Sequence, residues 1–185
     1  MSRLPGRWFK CTLVYLRILF ANGALFLPNP GGVLIRSEQM NPENLLQRFL
    51  EAQANAYPTA LAEMQAGRKR SHWMWYIFPQ LQGLGFSSTA QYYGLRGAPE
   101  ALTYARHPVL GTRLVAISQA LLALPGNNAT RVLGSPDDVK LRSSMTLFAA
   151  LPGADPVFQQ VLDQFFHGQA DPQTRRLLTP PPTRS

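Results

Sequence analysis

The hydrophobic pattern along the chain is mainly that of α-helices. Between 110 and 124, apolar residues are separated alternately by four and three positions, at Leu110, Leu114, Ile117, Leu121 and Leu124. Residues at this spacing share one face of a helix, so the segment predicts an amphipathic α-helix. A shorter apolar stripe predicts another helix, from about 42 to 55, at Leu45, Leu46, Phe49 and Leu50.

Proline, glycine and acidic residues mark the ends of further helices. Tyr57-Pro58 predicts the start of a second helix, which ends at Gly67. Ser135 and Pro136 have the residue types of an N-cap and a first helical position, with Asp138 at N3. Similar signals predict three more helices, over 89–93, from Asp155-Pro156 to His167-Gly168, and from Asp171-Pro172 onward.

One segment, HWMWYIF at 72–78, has the composition of a β-strand. The rest of the chain offers it no partner strand, so we interpret it as a buried turn or a short helix. The sequence therefore predicts an all-α fold, a compact single-domain bundle of about seven short helices with an aromatic-rich connecting segment at 72–79.

The composition fits one globular domain with a mild positive charge. The chain has 185 residues, of which 45% are hydrophobic and 15% charged, enough for a single domain. Its net charge of +8 is unevenly spread, since residues 1–40 carry five Lys or Arg and one acid, whereas the remainder carries 13 and nine. A basic surface attracts polyanions, but half of this excess precedes the predicted helices. A nucleic-acid partner is therefore left open and is not favoured.

The apolar run KCTLVYLRILFANGALFL at 10–27 raises the alternative of a signal peptide or membrane anchor. Arg17 lies in the middle of the run and no A-x-A-like cleavage site follows, which argues against both. We expect no membrane partner and a cytoplasmic location. The one cysteine, Cys11, lies in this run, so the rest of the chain forms no disulfide of its own.

Four blocks of the sequence form a recognisable pattern: AGRKRSHWMWYIFPQLQGLGFSSTAQYYGL, EALTYARHPVLGTRL, VLGSPDDVKLRSSMTLF and FFHGQADPQT. Over about 44–178 the chain closely resembles the domain-of-unknown-function 1810 family, small and mostly bacterial proteins sometimes labelled calpastatin-like. The resemblance implies a compact helical domain and supplies no established activity. The family's recurrent polar residues fall here on Arg68, Lys69, Arg70, Ser71, His72, Gln80, His107, Asp137, Lys140, Arg142, Ser143 and Ser144.

Residues 1–40 lie outside this family pattern. We therefore expect them to be a non-family extension upstream of a true start at Met40, which intact-mass analysis of the native protein checks. The single helical domain is expected over 41–178, with a disordered tail at 179–185.

The stretch GRKRSHWMWYIFPQ at 67–80 contains three cations, a histidine and two tryptophans, which are side chains able to bind a ligand or take part in catalysis. The cations Arg68, Lys69 and Arg70 are typical of a solvated helix exit, and the alternative is a clamp for phosphate or carboxylate oxygens. The glycine-containing loop at 83–88 can turn backbone N–H groups toward the same anion, and Ser87 or Ser88 can share that role. The alternative is a plain turn in which one of these serines is the N-cap of the next helix.

His72, Trp73 and Trp75 stand next to these cations. Neighbouring positive charge and burial both favour a neutral imidazole, which can act as a base or hydrogen-bond a ligand. Either tryptophan can stack on a nucleobase or another flat ring. The alternative is that both tryptophans are core anchors and that His72 donates to a backbone carbonyl.

A third group follows Pro136. Asp137 borders the buried face of its predicted helix, where a carboxylate needs a partner. An ion pair with a cation of the 68–70 run would join the two blocks as scaffolding. Lys140 and Ser144 lie four residues apart on the neighbouring stripe.

Together these residues favour a small-ligand-binding protein, or an enzyme, that acts on a phosphate-bearing, nucleotide-like compound through a cationic and aromatic pocket. The alternatives are a nucleic-acid-binding module and a protein-interaction adaptor. The predicted catalytic residues are His72 and Asp137, and the predicted ligand-binding residues are Arg68, Lys69, Arg70, Ser71, Trp73, Trp75, Gln80, Gly83, Gly85, Ser87, Lys140, Arg142 and Ser144.

No cofactor and no metal are expected. The three histidines are 35 and 60 residues apart, and the sequence has no H-E-x-x-H or C-x-x-C motif. The oligomeric state is left open.

Overall fold

A computed structural model describes residues 42–179 of the chain, and the side chains from Leu45 onward. This range contains nine helices and no strand: α1 Pro42–Gln65, α2 Met74–Ile77, α3 Ser88–Tyr93, α4 Ala98–Arg106, α5 Leu110–Leu122, α6 Ala129–Leu133, α7 Asp137–Ala149, α8 Pro156–Phe166 and α9 Pro172–Leu178. The predicted all-α fold is confirmed. The expectations for the N-terminal extension and the start at Met40, and all but the first residue of the predicted tail, lie outside the described residues.

The core lies where α1, α5, α7 and α8 pack together. The apolar stripe predicted for α5 faces this core, because Leu110, Leu114, Ile117 and Leu121 are all buried. Within α7, Leu141 and the six consecutive residues from Ser143 to Phe148 are all buried, whereas the start of the helix is polar and partly exposed. Along the described part of the chain, no helix is both long enough and apolar enough to cross a membrane.

The prediction of two separate helices before Gly67 is wrong, since α1 runs without a break through Pro58. Proline removes one backbone hydrogen bond, a cost that packing on either side can outweigh. Before the proline, Gln53 donates to the Tyr76 carbonyl over 2.7 Å. Immediately before it, the Tyr57 hydroxyl donates to the Arg113 carbonyl over 3.1 Å. These contacts hold the half of α1 before the proline. After it, Ala60 and Met64 are fully buried, and they hold the second half against the core.

The start of α7 also differs from its prediction. Pro136 occupies the N-cap and Asp137 the first helical position, so Ser135 is not the cap. Asp138 accepts hydrogen bonds from the Val139 backbone N–H and the Thr130 hydroxyl. The acid therefore links α6 to α7 instead of closing a capping box.

The later helix starts agree with their predictions. The Asp155 carboxylate accepts from the Val157 N–H at the start of α8, and the Asp171 carboxylate accepts from the Thr174 N–H at the start of α9. α8 ends at Phe166, and its C-cap residue His167 adopts the left-handed conformation with φ of 55°. The helices that the pattern did not predict are α4 and α6, while the aromatic segment contains the short helix α2.

Gly111 allows α5 to approach the end of α4. A Cβ atom at this position would lie 2.0 Å from the Ala105 carbonyl oxygen, far inside van der Waals contact. A Gly→Ala change inside a helix normally stabilises it. We expect the opposite for Gly111→Ala, a loss of about 1–3 kcal/mol in the free energy of unfolding, because the two helices must move apart. Urea denaturation measures it.

Gln119→Ala is the matched control, since Gln119 is an exposed residue of the same helix. Its unfolding free energy should change by about 0.5 kcal/mol or less. Equal or greater stability of Gly111→Ala would contradict the close approach of α4 and α5.

Candidate functional site

One carboxylate holds the chain that follows α1. Glu63 accepts from the backbone N–H groups of Arg70 and Ser71 over 2.8 and 3.2 Å. It also accepts from the Ser71 hydroxyl over 2.7 Å and the Trp73 indole N–H over 2.8 Å. Burial raises the pKa of this carboxyl, but the hydrogen bonds outweigh it and lower the pKa to about 2. Ser71 and Trp73 are thereby fixed to α1.

A second carboxylate joins this stretch to α7. One oxygen of Asp137 lies 2.7 Å from the Lys69 ammonium, and the other lies 2.7 Å from the Lys140 ammonium. Burial raises the pKa of Asp137, whereas the two lysines lower it, and the net shift is downward. The predicted ion pair between Asp137 and the cationic run is therefore present at Lys69. Two cations share one anion, so the cluster keeps one net positive charge.

Each of these lysines also lies over an indole ring. The Lys69 ammonium is 5.2 Å from the ring centroid of Trp73, and the Lys140 ammonium is 4.6 Å from that of Trp75. The two tryptophans differ in exposure. Trp73 is 1% exposed and packs against Phe78, whereas Trp75 is partly exposed. Of these two, Trp75 is the one with exposed ring surface that a ligand could contact.

Trp75 and Lys140 line a groove of about 670 Å³ between the 75–90 stretch, one face of α7 and the start of α9. It is referred to below as the groove. Its lining consists of Trp75, Gln80, Leu84, Gly85, Phe86, Ser87, Ala90, Pro136, Val139, Lys140, Ser143, Asp171, Pro172 and Gln173. Two other cavities, of about 440 and 490 Å³, are lined by none of the predicted site residues.

The wall at 84–87 is held tightly against α3. The Ser87 hydroxyl oxygen accepts from the Ala90 N–H over 3.1 Å, so Ser87 is the N-cap of this helix. A Cβ atom on Gly85 would lie 2.6 Å from the Ala90 Cβ. Gly85 is thus required by close packing. The sequence left the cap of this helix open between Ser87 and Ser88, and the structure shows that it is Ser87.

Arg142 holds the opposite wall in place. Its guanidinium donates to the carbonyl oxygens of Gln169 and Ala170 over 2.8 and 3.1 Å. The Asp171 N–H donates to the Thr146 hydroxyl over 2.8 Å, which fixes the next residue to α7 as well. These bonds place the start of α9 at the edge of the groove.

Comparison with known proteins gives two matches. The sequence profile of the family described as Protein of unknown function (DUF1810) matches residues 43–178. The chain belongs to this family. It is also similar to a solved structure, that of the conserved hypothetical protein Rv1873 from Mycobacterium tuberculosis, with 43% identity and a TM-score of 0.72 over 75% of this chain and 98% of the other. No protein with curated annotation matches the chain.

The groove of this DUF1810 domain gathers some of the predicted site residues and leaves others out. Five line it, namely Trp75, Gln80, Gly85, Ser87 and Lys140. Three more support its walls from behind, namely Lys69, Asp137 and Arg142. The remaining predicted residues are not part of the lining, namely Arg68, Arg70, Ser71, His72, Trp73, Gly83 and Ser144.

The residues outside the groove have different surroundings. Arg68, Arg70 and His72 are exposed, and the Tyr76 hydroxyl donates to the His72 carbonyl over 3.0 Å. Within residues 42–179, no hydrogen bond or ion pair joins the His72 imidazole to Asp137. The Ser144 hydroxyl is fully buried and has no hydrogen-bond partner among the described residues.

Several groove residues of the DUF1810 domain escaped the list of predicted site residues. Phe86 is 89% exposed, and a lone phenylalanine between glycine and serine in a loop was a signal that could have indicated it. Asp171 was recognised as an N-cap, and its place beside α7 depends on contacts that the sequence does not show.

Among the described residues, no cluster of three or more His, Cys, Asp or Glu side chains could hold a metal ion.

Glu63 should make stability depend on pH. Its pKa in the folded protein is about 2, below the usual 4.5, so its contribution is present above about pH 4.5 and is lost as the pH falls towards 2. At neutral pH we expect Glu63→Gln to lower the unfolding free energy by about 1–3 kcal/mol, because an amide nitrogen cannot accept these hydrogen bonds. The gap between the two proteins should close in acid.

Urea unfolding followed by tryptophan fluorescence at several pH values measures this gap. Glu51→Gln is the matched control, since Glu51 is an exposed carboxylate of the same helix. A gap for Glu63→Gln that stays constant with pH would contradict the role of the Glu63 charge.

Asp137 should stabilise the fold through its two lysines. Asp137→Asn leaves both ammonium groups without a carboxylate, and we expect a loss of about 1–3 kcal/mol in the unfolding free energy. Adding Lys69→Met should recover part of that loss, because one unpaired cation is removed. Urea unfolding of the single and double variants tests this coupling, and strictly additive losses would contradict it.

Proposed function

We propose that this domain binds a small phosphate-bearing, nucleotide-like molecule in the groove. The observation that carries the proposal is the position of the Lys140 ammonium, which lies over the Trp75 ring in a groove that both residues line. A cation beside an accessible aromatic face suits a ligand that has an anionic group next to a flat ring.

The charge of the cluster supports an anion. Asp137 neutralises only one of the two lysines that contact it, and Lys140 is the one that lines the groove. The Lys140 side chain is 21% exposed, so its charge is only partly screened by water. A phosphate or carboxylate oxygen would take up the remaining hydrogen-bond capacity of this ammonium.

The other polar residues of the lining call for hydrogen-bond donors on the same ligand. Asp171 is an acid, and one of its oxygens accepts from Thr174; no residue that the structure describes donates to the other oxygen, which could accept from a ligand. Gln80 can both donate and accept. Ribose hydroxyls or the amino group of a nucleobase provide such donors, and a volume of about 670 Å³ lies in the range of small-molecule sites.

The proton-handling role predicted for His72 and Asp137 stays a prediction. Both oxygens of Asp137 already accept from lysines. The described contacts thus favour ligand binding over proton transfer by this pair. We infer a cytoplasmic location, the compartment in which nucleotides are abundant.

Exposed apolar side chains favour a second candidate, a protein-interaction surface. Phe86 and Val139 line the groove and are 89% and 54% exposed, and Leu177, close to Gly83, is 48% exposed. An interaction surface would use this apolar rim without needing a small ligand.

The binding proposal is tested by calorimetric titration of the full chain with the four ribonucleoside monophosphates, ribose 5-phosphate and pyrophosphate. We expect at least one of the nucleotides to bind. Lys140→Met should weaken that binding about 10- to 100-fold, as expected for one charge-assisted hydrogen bond. Arg106→Met is the matched control, because Arg106 is an exposed cation outside the groove.

Three other results would overturn the proposal. Absence of binding to every compound would favour the interaction surface. Equal losses in Lys140→Met and Arg106→Met would show that the cation in the groove has no special role. Binding to oligonucleotides with a steep dependence on salt concentration would instead favour the nucleic-acid-binding module.

A further inference from the structure

Phe86 is the most exposed large hydrophobic residue of the described chain, at 89%. Single exposed apolar side chains are common on protein surfaces and need no explanation by themselves. Tyr92 and Val109 are also exposed, but they do not line the groove, whereas Phe86 does. An exposed ring that lines a groove on a fixed backbone suggests a role in binding.

The backbone around Phe86 is fixed on both sides. Before it, Gly85 packs so closely on Ala90 that even a Cβ atom would lie 2.6 Å from the Ala90 Cβ. After it, Ser87 caps α3 through the Ala90 N–H. The Gln91 amide donates to the carbonyl oxygen of Phe86 itself over 3.2 Å. The loop at 85–87 therefore has a fixed backbone, referred to below as the braced loop, and it holds the Phe86 ring at the groove. The Phe86 side chain itself can still rotate.

Trp75 provides an aromatic surface in the same groove. Its ring is partly exposed and is already approached by the Lys140 ammonium at 4.6 Å. The groove thus contains one aromatic residue beside the cation and a second on the braced loop. A flat ring bound between two aromatic side chains buries apolar surface of both and gains stacking on each face.

We propose that Phe86 covers the flat ring of the bound molecule, with Trp75 on the other side, and that the groove therefore binds nucleoside phosphates more tightly than sugar phosphates, which have the anionic group but no ring. This inference rests on the binding function proposed above. It assigns Phe86 as the residue that distinguishes ligands with a base from ligands without one. Lys140 contacts the anionic group that both classes share.

The test compares ligands with and without a ring. Dissociation constants are measured for the full chain and for Phe86→Ala, with the best-binding ribonucleoside monophosphate and with ribose 5-phosphate. We expect Phe86→Ala to weaken nucleotide binding about tenfold or more, the usual effect of losing one base-stacking side chain. Ribose 5-phosphate binding should change less than about twofold, since it has no ring to cover. Phe86→Trp should retain nucleotide binding.

Tyr92→Ala is the matched control, because Tyr92 is 59% exposed and does not line the groove. It should leave both dissociation constants unchanged. Nucleotide quenching of tryptophan fluorescence that is lost in Trp75→Phe gives an independent readout of ring stacking. The thermal midpoint of Phe86→Ala should equal that of the unmodified protein, since so exposed a side chain contributes little to the core.

The outcomes separate the two proposals. If nucleotides bind and Phe86→Ala weakens neither ligand, or weakens both equally, the role of Phe86 is wrong while the binding function stands. If the unmodified chain binds neither ligand, both proposals fail. Loss of nucleotide binding in Phe86→Ala, with ribose 5-phosphate binding intact, supports both.

Discussion

Asp137 lies between two lysine ammonium groups, one from the chain after α1 and one from its own helix, and this three-residue contact connects the parts of the molecule that matter for the groove. Lys69 is brought to it by a loop that the Glu63 carboxylate holds in place. Lys140 is held in turn over the ring of Trp75. The geometry of the groove therefore depends on ion pairing behind its lining, as is common where supporting residues orient those that face a ligand.

Several of the basic side chains have structural roles inside the fold. Arg48 pairs with Glu100, and Arg142 binds backbone carbonyls, so part of the positive charge is used inside the fold. The 68–70 run is divided by its surroundings, with Lys69 largely buried while Arg68 and Arg70 face outward. Net charge alone is thus a poor guide to a polyanion partner for this domain.

Local signals in the sequence predicted local structure well. The caps at Asp155 and Asp171 and the buried face of α5 depend on neighbouring residues, so they could be read directly. The continuation of α1 through Pro58 depends on contacts with distant residues, and the sequence indicated the opposite. The site shows the same division. Trp75 and Lys140 stood out by type, whereas the approach of Asp171 to α7 required the bonds made by Arg142 and Thr146.

The start of α9 forms one wall of the groove, although α9 has only seven residues, of which Thr174 is the buried one. Short helices with few buried side chains open locally at a lower free energy than a central core. A ligand that contacts Asp171 and Gln173 would have to oppose this opening, so its affinity would include the population of the docked helix. Ligand occupancy of the groove and protection of the α9 amides from hydrogen exchange would then rise together, because both depend on the same opening and docking of α9.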